Sequence, residues 1–558
     1  MNETALSRAA RIAVPILLGV LALQVVLGMR LLNASFDEVT HLPSGYSYLE
    51  TGRVELNPQH PPLIKLLSAI PLRFIEVRSD FDPTRVEEPG YEWRFGRKFL
   101  QAGNADRMLF LGRLPVVLLS LLLAYLVYRW AKELFGIPAG LMALFLYAFS
   151  PNLIAHSRLV TMDLGLSCFF VLTLYFLWRF VRAGGRGNLT GAGIGLGLAL
   201  ATKFSAVLLL PAAALLLGLV VFLPPREAPS REAKRSRRKK APAGSLWSRP
   251  FNDPSLGRRL KRALAVYLAL LVLAALVVYA AYLFPDDPLV YWKGIQKVNA
   301  DHRAGYMNYL MGEFKEGGWW YYFLVAFAFK TPVPALLLLG LWIALAVRHG
   351  MADRLGIAFL ILPAVLLTAA TSALADNFGI RYLLPVYPLI FVLASQTASF
   401  FLARRSRLVM GAVLALWYLG ASLWIYPDHL AYFNELAGGP GRGWKYLDDS
   451  NIDWGTDLKR LKSYLDEQGT GRIKLAYWAT ASPDYYRIQH DRVALREFCH
   501  EPAPGLYAVS THMLIRGELL WKAAGLQCDW LNRYEPVGRV GYSFYLFDIP
   551  GESVWPER

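Results

Sequence analysis

Apolar runs of close to 20 residues recur along this chain, and they limit its fold more than any other feature. In a bilayer every backbone N–H and C=O must be paired inside the protein, so only helices and closed barrels can cross. Runs this long and continuous fit helices that span a hydrocarbon layer of about 30 Å. Eleven segments qualify, at about 12–32, 108–128, 137–155, 161–181, 188–202, 204–223, 263–284, 331–347, 355–374, 383–402 and 408–426. The 55% hydrophobic content exceeds that of soluble domains. The expected fold class is an all-α multi-pass membrane protein of about 11 transmembrane helices, followed by a small α/β domain. The first run follows Arg8 and Arg11 like a signal peptide. It is long and lacks a small-residue cleavage site, so it reads as a retained first span.

Lys and Arg set the orientation. Arg8 and Arg11, Arg129 and Lys132, Arg179, Arg182 and Arg186, the run Arg231–Lys240, Arg348 and Arg354, and Arg404, Arg405 and Arg407 all fall on one side of an eleven-span path. That side is cytoplasmic, with the N-terminus, and the chain sits in the cell (inner) membrane. The charged loops account for much of the net charge of +17, and the basic 224–262 loop reads as a solvated element beside anionic lipid, with no nucleic acid as partner. A membrane domain over 1–426 then carries two outer loops, 33–107 and 285–330, and residues 427–558 form an extracytoplasmic domain. In that tail, 473–478, 505–510 and 543–549 read as strands and 456–465 as a helix capped by Asp453 or Thr456. Cys499 and Cys528 lie there and would be free to pair in an oxidising compartment.

The residues that carry chemistry gather on the outer side. Phe36-Asp37-Glu38-Val39-Thr40-His41 follows the first span, and carboxylates at a bilayer edge are functional candidates. Pro61-Pro62 opens a short apolar helix too short to span, which should lie at the interface with Lys65 snorkelling, and places His60 and Lys65 at the depth of Asp37. The outer connections should be poor in cations, yet they hold Arg158 (with Asp163), Lys203, Lys330 and Arg381, and His302 lies in the second outer loop. Cations converging on one carboxylate pair suit an anion anchored in the membrane, and Arg binds two phosphate oxygens at once. If that anion is a lipid phosphate bearing a sugar, the phosphate leaves already charged, no general acid is required, and one carboxylate suffices as base. Neighbouring side chains diverge, so Asp37 is assigned as base and Glu38 as a second, orienting carboxylate.

Plainer readings exist for each residue. Asp37 would also cap a helix. Arg158 and Asp163 would also make a structural ion pair. Lys203 and Lys330 would also reach headgroups, and His302 would also be a solvated loop residue. The acidic stretch Asp448–Asp457 has oxygen ligands for a divalent cation but reads better as a turn and helix start. No metal or other cofactor is required, since Lys and Arg can neutralise phosphate; a divalent metal stays open. Trp319-Trp320-Tyr321-Tyr322 suits an interfacial belt or a sugar pocket. A Walker loop, a dinucleotide glycine fingerprint, zinc spacing and a Gly-x-Ser-x-Gly elbow are absent, in keeping with a donor that is lipid-linked.

These motifs, in order, resemble the polytopic lipid-carrier-dependent glycosyltransferases of the GT-C fold, in particular the protein O-mannosyltransferase group and the bacterial aminoarabinose transferases of lipid A. The resemblance runs through Phe36–His41, Gly45-Tyr46, Leu49–Gly52, Asn57–Leu63 with Lys65, Arg158 with Asp163, Thr202-Lys203, His302 with Gly305, Gly318–Phe323, Lys330–Pro332 and Arg381-Tyr382-Leu383-Leu384-Pro385. It continues at Tyr432–Glu435 and Asp449–Gly455. It implies inverting sugar transfer from a polyprenyl-phosphate sugar to an acceptor hydroxyl on a protein, lipid or glycan at the extracytoplasmic face. It implies that Asp37 is catalytic and that outer-face groups, Tyr382 among them, bind the donor. The large luminal insertion of the eukaryotic mannosyltransferases is absent. The alternative is a transporter or flippase of lipid-linked or anionic glycans, which should carry its polar groups near mid-bilayer; a purely structural membrane protein leaves the Asp-Glu and cation pattern without a role.

Overall fold

A computed structural model describes residues 3–223, 251, 253–301, 305–351, 353–493, 502–523, 525 and 533–550. The Arg231–Lys240 run, His302, Cys499 and Cys528 lie outside the described residues.

The chain is a multi-pass helical membrane protein with a small C-terminal sheet. Seven helices are long and apolar enough to cross: Thr4–Met29, Ala105–Phe135, Met162–Ala183, Phe204–Phe222, Leu256–Ala281, Arg354–Leu374 and Arg405–Trp424. The pair Tyr322–Lys330 and Val333–His349 adds an eighth if counted as one crossing bent by 112°. The remaining expected spans are helical but shorter than a full crossing. Residues 137–155 split into Ile137–Ala148 and Pro151–His156, 188–202 is Arg186–Leu200, and 383–402 is Val386–Ser395 with Ala398–Leu402. Hydropathy alone does not see such breaks. Before Pro151, Ser150 is extended, as the residue preceding a proline tends to be.

The sharpest bend has a similar cause. Pro332 cannot donate a backbone hydrogen bond, and Thr331 before it is extended. The break frees carbonyls that lipid cannot satisfy. Asn434 Nδ2 donates to the Ala328 and Thr331 carbonyls at 2.6 and 2.7 Å, and Asn152 Nδ2 donates to Lys330 O at 2.8 Å. Two asparagines thus replace the missing helix bonds.

The glycine-rich Arg186–Leu200 helix packs closely on both sides, as its composition suggests. A Cβ at Gly191 or Gly195 would stand 2.9 Å from Phe176 or 3.0 Å from Thr173 on one neighbour. At Gly193 or Gly197 it would stand 2.6 Å from Leu273 or 2.5 Å from Val277 on the other.

Residues 33–107 form a helical layer. The Glu38–Thr51 helix packs on Leu63–Ala69 and on Tyr91–Ala102, with Gly45 facing the Lys65 carbonyl, which would stand 2.0 Å from any Cβ there. Between 285 and 330, β1 (Met307–Leu310) and β2 (Glu313–Glu316) pair as an antiparallel hairpin, which sequence reading did not anticipate. The tail builds a five-stranded sheet from β3 (Ile473–Ala476), β4 (His490–Arg492), β5 (Gly505–Ser510), β6 (Gly538–Val540) and β7 (Phe544–Ile549), in the order β4-β3-β5-β7-β6. β3 lies parallel to β4 and β5, and the rest pair antiparallel. The expected strands are present within two residues, and the two short edge strands are additions. The expected helix is Leu458–Glu467. Its cap is a correction: neither Asp453 nor Thr456 serves. Asp457 precedes the helix without a side-chain cap bond, and Asn33 Oδ1 accepts from Leu458 N at 2.7 Å.

Asn33 does more than cap. Its N donates to Thr456 O at 3.1 Å and its Nδ2 to Gly455 O at 2.6 Å, while Phe36 N donates to Trp454 O at 2.9 Å. The Trp454–Thr456 segment of the tail therefore runs beside the segment before Asp37. Asn33→Ala leaves buried donors and acceptors unpaired, at about 1–3 kcal/mol. The expected outcome is faster proteolysis of the tail than of the membrane helices in limited digestion of the purified protein.

Candidate active site

Asp37 and Glu38 meet different fates. Asp37 stands at the start of the Glu38–Thr51 helix but makes no side-chain cap bond, so the capping reading fails. Its Oδ2 accepts from Arg381 Nη1 at 3.0 Å, and its side chain is 20% exposed. Glu38 is fully buried. Its Oε1 accepts from Arg113 Nε and Val160 N, each at 2.8 Å, and its Oε2 from Arg113 Nη2 at 2.7 Å and Ser35 N at 2.9 Å. Burial works to raise its pKa, but the Arg113 charge and these bonds outweigh it and hold the carboxyl below its usual value. With both oxygens taken, Glu38 has no atom free for a substrate. The structure makes it a positioning group rather than a second catalytic carboxylate.

Arg113 spends its other donors on the Met29, Leu32 and Asn33 carbonyls at 2.9, 3.1 and 2.7 Å. It fixes the exit of the first span and the motif at once. The sequence held a signal for it, since Arg113 is an arginine inside the expected 108–128 span, where charge needs a reason.

His41, one turn after Asp37, donates from Nδ1 to the Val160 carbonyl at 2.9 Å. The Val160 peptide is thereby gripped on its N–H by Glu38 and on its C=O by His41. The His41 ring meets His60 edge-on at 5.5 Å between centres, and burial holds both imidazoles below their usual pKa. Both stay neutral at pH 7.

Exposure sorts the expected phosphate-binding cations. Lys203 Nζ bonds Asp163 Oδ1 at 2.7 Å, and its side chain is 11% exposed; that of Arg381 is 14% exposed. Tyr382 joins them, with Lys203 Nζ 4.4 Å and the Arg381 guanidinium 5.5 Å from its ring centre. Arg381 Nε is buried without a protein partner among the described residues. Three other cations face inward. Lys65 does not snorkel: it is fully buried and donates to the Asn57 and His60 carbonyls. Burial pushes its pKa well down. Lys330 is buried on the Leu430 and Asn451 carbonyls at 2.6 and 2.5 Å. Arg158 is buried on Pro427 O at 2.6 Å and makes no ion pair with Asp163, whose partner is Lys203.

The tail supplies a residue of the Asp449–Gly455 stretch to which the sequence reading gave no role. Trp454 lies with its ring centre 4.5 Å from the Arg381 guanidinium and edge-on to His156 at 5.8 Å. Beside it, Asn451 Oδ1 accepts from Ile380 N at 3.0 Å and Ser450 Oγ donates to Phe378 O at 2.5 Å, which fixes the turn bearing Arg381. The acidic stretch does not converge. Asp448 binds His512 at 2.9 Å and Arg516 at 2.5 Å. Asp453 bonds Gly455 N at 2.8 Å, and Asp457 pairs with Arg460 and Ser543. Among the described residues no group of three His, Cys, Asp or Glu side chains is arranged to hold a metal. In the aromatic run, Trp320 and Tyr321 are exposed while Trp319 and Tyr322 are buried, so only half of it can serve as a belt.

These features define a multi-pass membrane protein in which the part-exposed Asp37 carboxylate stands against Arg381. The family described as dolichyl-phosphate-mannose-protein mannosyltransferase matches residues 105–229. The chain resembles that family over a segment that holds Arg113, Arg158, Asp163 and Lys203. No curated protein matches. Among solved structures, ArnT from Cupriavidus metallidurans bound to undecaprenyl phosphate is similar at 14% identity and TM-score 0.48, covering 96% of this chain and 97% of that one. Archaeoglobus fulgidus oligosaccharyltransferase AglB, with an inhibitory peptide and a dolichol-phosphate, is similar at 11% identity and TM-score 0.44, over 95% and 74%. The S. cerevisiae Pmt1-Pmt2 complex with its sugar donor is similar at 18% and 0.30, over 54% and 38%.

Removing one partner of a buried ion pair strands the other charge, at about 3–5 kcal/mol. Arg113→Ala should therefore lower the melting temperature in detergent far more than Arg381→Ala, whose partner Asp37 keeps access to water. Equal shifts would remove the distinction drawn here between a structural and a functional pair.

Proposed function

We propose that this protein is an inverting glycosyltransferase that moves a sugar from a polyprenyl-phosphate donor to an acceptor hydroxyl at the extracytoplasmic membrane face. One observation carries the reading. Asp37 is the carboxylate of the motif left part-exposed, and the two cations that also keep exposure, Arg381 and Lys203, stand around it through a direct bond and the shared Tyr382 ring.

Asp37 is the base. It takes the proton of the acceptor hydroxyl as that oxygen attacks the anomeric carbon from the face opposite the phosphate. The bond from the anomeric carbon to the phosphate oxygen breaks, and the polyprenyl phosphate leaves with one added negative charge. Arg381 and Lys203 stabilise that charge, so no proton need be delivered to the leaving group. Asp163 holds Lys203, Trp454 and the Ile380 turn hold Arg381, and Glu38 with Arg113 holds the motif. Lys65, Arg158 and Lys330 serve the scaffold from which these groups project. His60 belongs to the wall beside His41. The donor sugar falls within the hexosyl and pentosyl class, and no metal is required.

Asp37→Asn should lower transfer from a radiolabelled polyprenyl-phosphate sugar by about 10²–10⁴-fold, while donor binding persists. Full activity in that variant would sink the assignment of the base. For the orientation, reporters placed at Arg235 and after Pro427 should lie on opposite sides of the membrane. Finding both on one side would put the Asp37 site on the wrong face.

A further inference from the structure

Of the Tyr432-Phe433-Asn434-Glu435 stretch, only Asn434 has a task so far, at the Pro332 break. The other three residues, with Trp424 at the end of the last span and the Gly438-Gly439 turn, line a pocket of about 320 Å³. The pocket opens beside the Arg405–Trp424 helix, whose Val413, Leu416 and Leu423 face outward, exposed. A span with such a face is covered by acyl chains, and the group that follows an acyl chain past the span's end is a lipid head group.

The pocket carries a negative charge that the protein does not neutralise. Glu435 is exposed, and its Oε1 accepts from Trp417 Nε1 at 2.7 Å. Trp417 lies two turns, about 10 Å, before Trp424, so this bond draws the carboxylate alongside the last turns of the span. A carboxylate at that depth calls for a counter-charge. Among the described residues Glu435 makes no ion pair, and its Oε2 has no hydrogen-bond partner. The Trp424 indole in the same wall is 69% exposed, and an indole face is the aromatic surface that best attracts a cation. The Tyr432 hydroxyl is buried without a partner among the described residues, and burial, then the Glu435 charge, pushes its pKa up. It too stands within the field of that carboxylate.

A positive charge stands at the rim. Arg442 is exposed and lies over the turn, where a Cβ on Gly438 would be 2.9 Å from its Cδ and 3.6 Å from its Nη1. Carboxylate and indole on one part of the wall, with a guanidinium at the edge, complement a head group in which an ammonium and a phosphate are joined by a short ethylene link. The free Oε2 calls for an N–H donor, which a primary ammonium supplies and a quaternary one does not. We propose that this pocket binds the head group of a phosphatidylethanolamine-type lipid, with its ammonium on Glu435 Oε2 and the Trp424 face and its phosphate toward Arg442. A head group held there braces Asn434, the residue between Phe433 and Glu435 that closes the Pro332 break. The site does not depend on the transferase reading.

Native mass spectrometry of the full-length protein in detergent tests this, with added phosphatidylethanolamine, phosphatidylcholine or phosphatidylglycerol of the same acyl chains. The wild type should retain one phosphatidylethanolamine at a concentration roughly tenfold below that needed for either of the others. Glu435→Gln keeps the acceptor for Trp417, so its melting curve without added lipid should match the wild type, while its preference for phosphatidylethanolamine over phosphatidylglycerol should disappear. Arg442→Gln, a surface change, should weaken phosphatidylethanolamine several-fold. Equal retention of phosphatidylethanolamine and phosphatidylglycerol by the wild type overturns the site, as does unchanged phosphatidylethanolamine binding in Glu435→Gln or in Arg442→Gln. Phosphatidylcholine held as tightly as phosphatidylethanolamine overturns the bond to Glu435.

Discussion

The Arg113–Glu38 pair is the interaction on which the Asp37 motif depends. Both side chains are buried, and two ions taken from water repay that cost only if their remaining donors and acceptors are filled. Here they are. Glu38 also accepts from Ser35 and Val160, and Arg113 also donates to the carbonyls at the end of the first span. The result joins the first span, the Ala105–Phe135 helix, the motif and the turn before the Met162–Ala183 helix at one point. Because Glu38 faces inward at this junction, its neighbour Asp37 is turned the other way, toward Arg381. The two carboxylates divide their work through the geometry of one helix start.

The same logic separates the cations. An ammonium or guanidinium in a dry interior must find acceptors: Lys65 and Lys330 find theirs in backbone carbonyls, while Arg158 bonds the Pro427 carbonyl through Nη2 and keeps its buried Nε and Nη1 without a partner among the described residues. Those carbonyls belong to irregular chain, the Asn57–His60 stretch and the segment after the last span. Each buried cation therefore ties down a segment that could not satisfy itself. Only Arg381 and Lys203 among these five take a carboxylate partner and keep some exposure.

The tail is part of the site. Asn33 holds the Trp454–Thr456 segment, Trp454 stacks on Arg381, and Asn451 holds the turn before it. Asn434 closes the Pro332 break from the same side of the sequence. Three asparagines and one tryptophan thus connect elements hundreds of residues apart, which is why the membrane helices alone would not define the position of Arg381.

Hydrophobic run length determined that this chain crosses a membrane many times, since lipid leaves the backbone few options, and alternation of apolar residues determined the tail strands. Residue chemistry placed Asp37, Arg381, Lys203 and Asp163 among the candidates, because charge at a bilayer edge is too costly to be incidental. The rest lay in the tertiary structure. Which apolar runs are broken depends on the backbone at Pro151 and Pro332 and on distant side chains that cap the break. Whether Lys65 meets water or carbonyls, whether Asp163 pairs with Arg158 or Lys203, and whether Glu38 is free depend on which groups packing brings within about 3 Å. A linear pattern records charge and hydropathy; it does not record who the partner is, and the partner decides whether a charge can act.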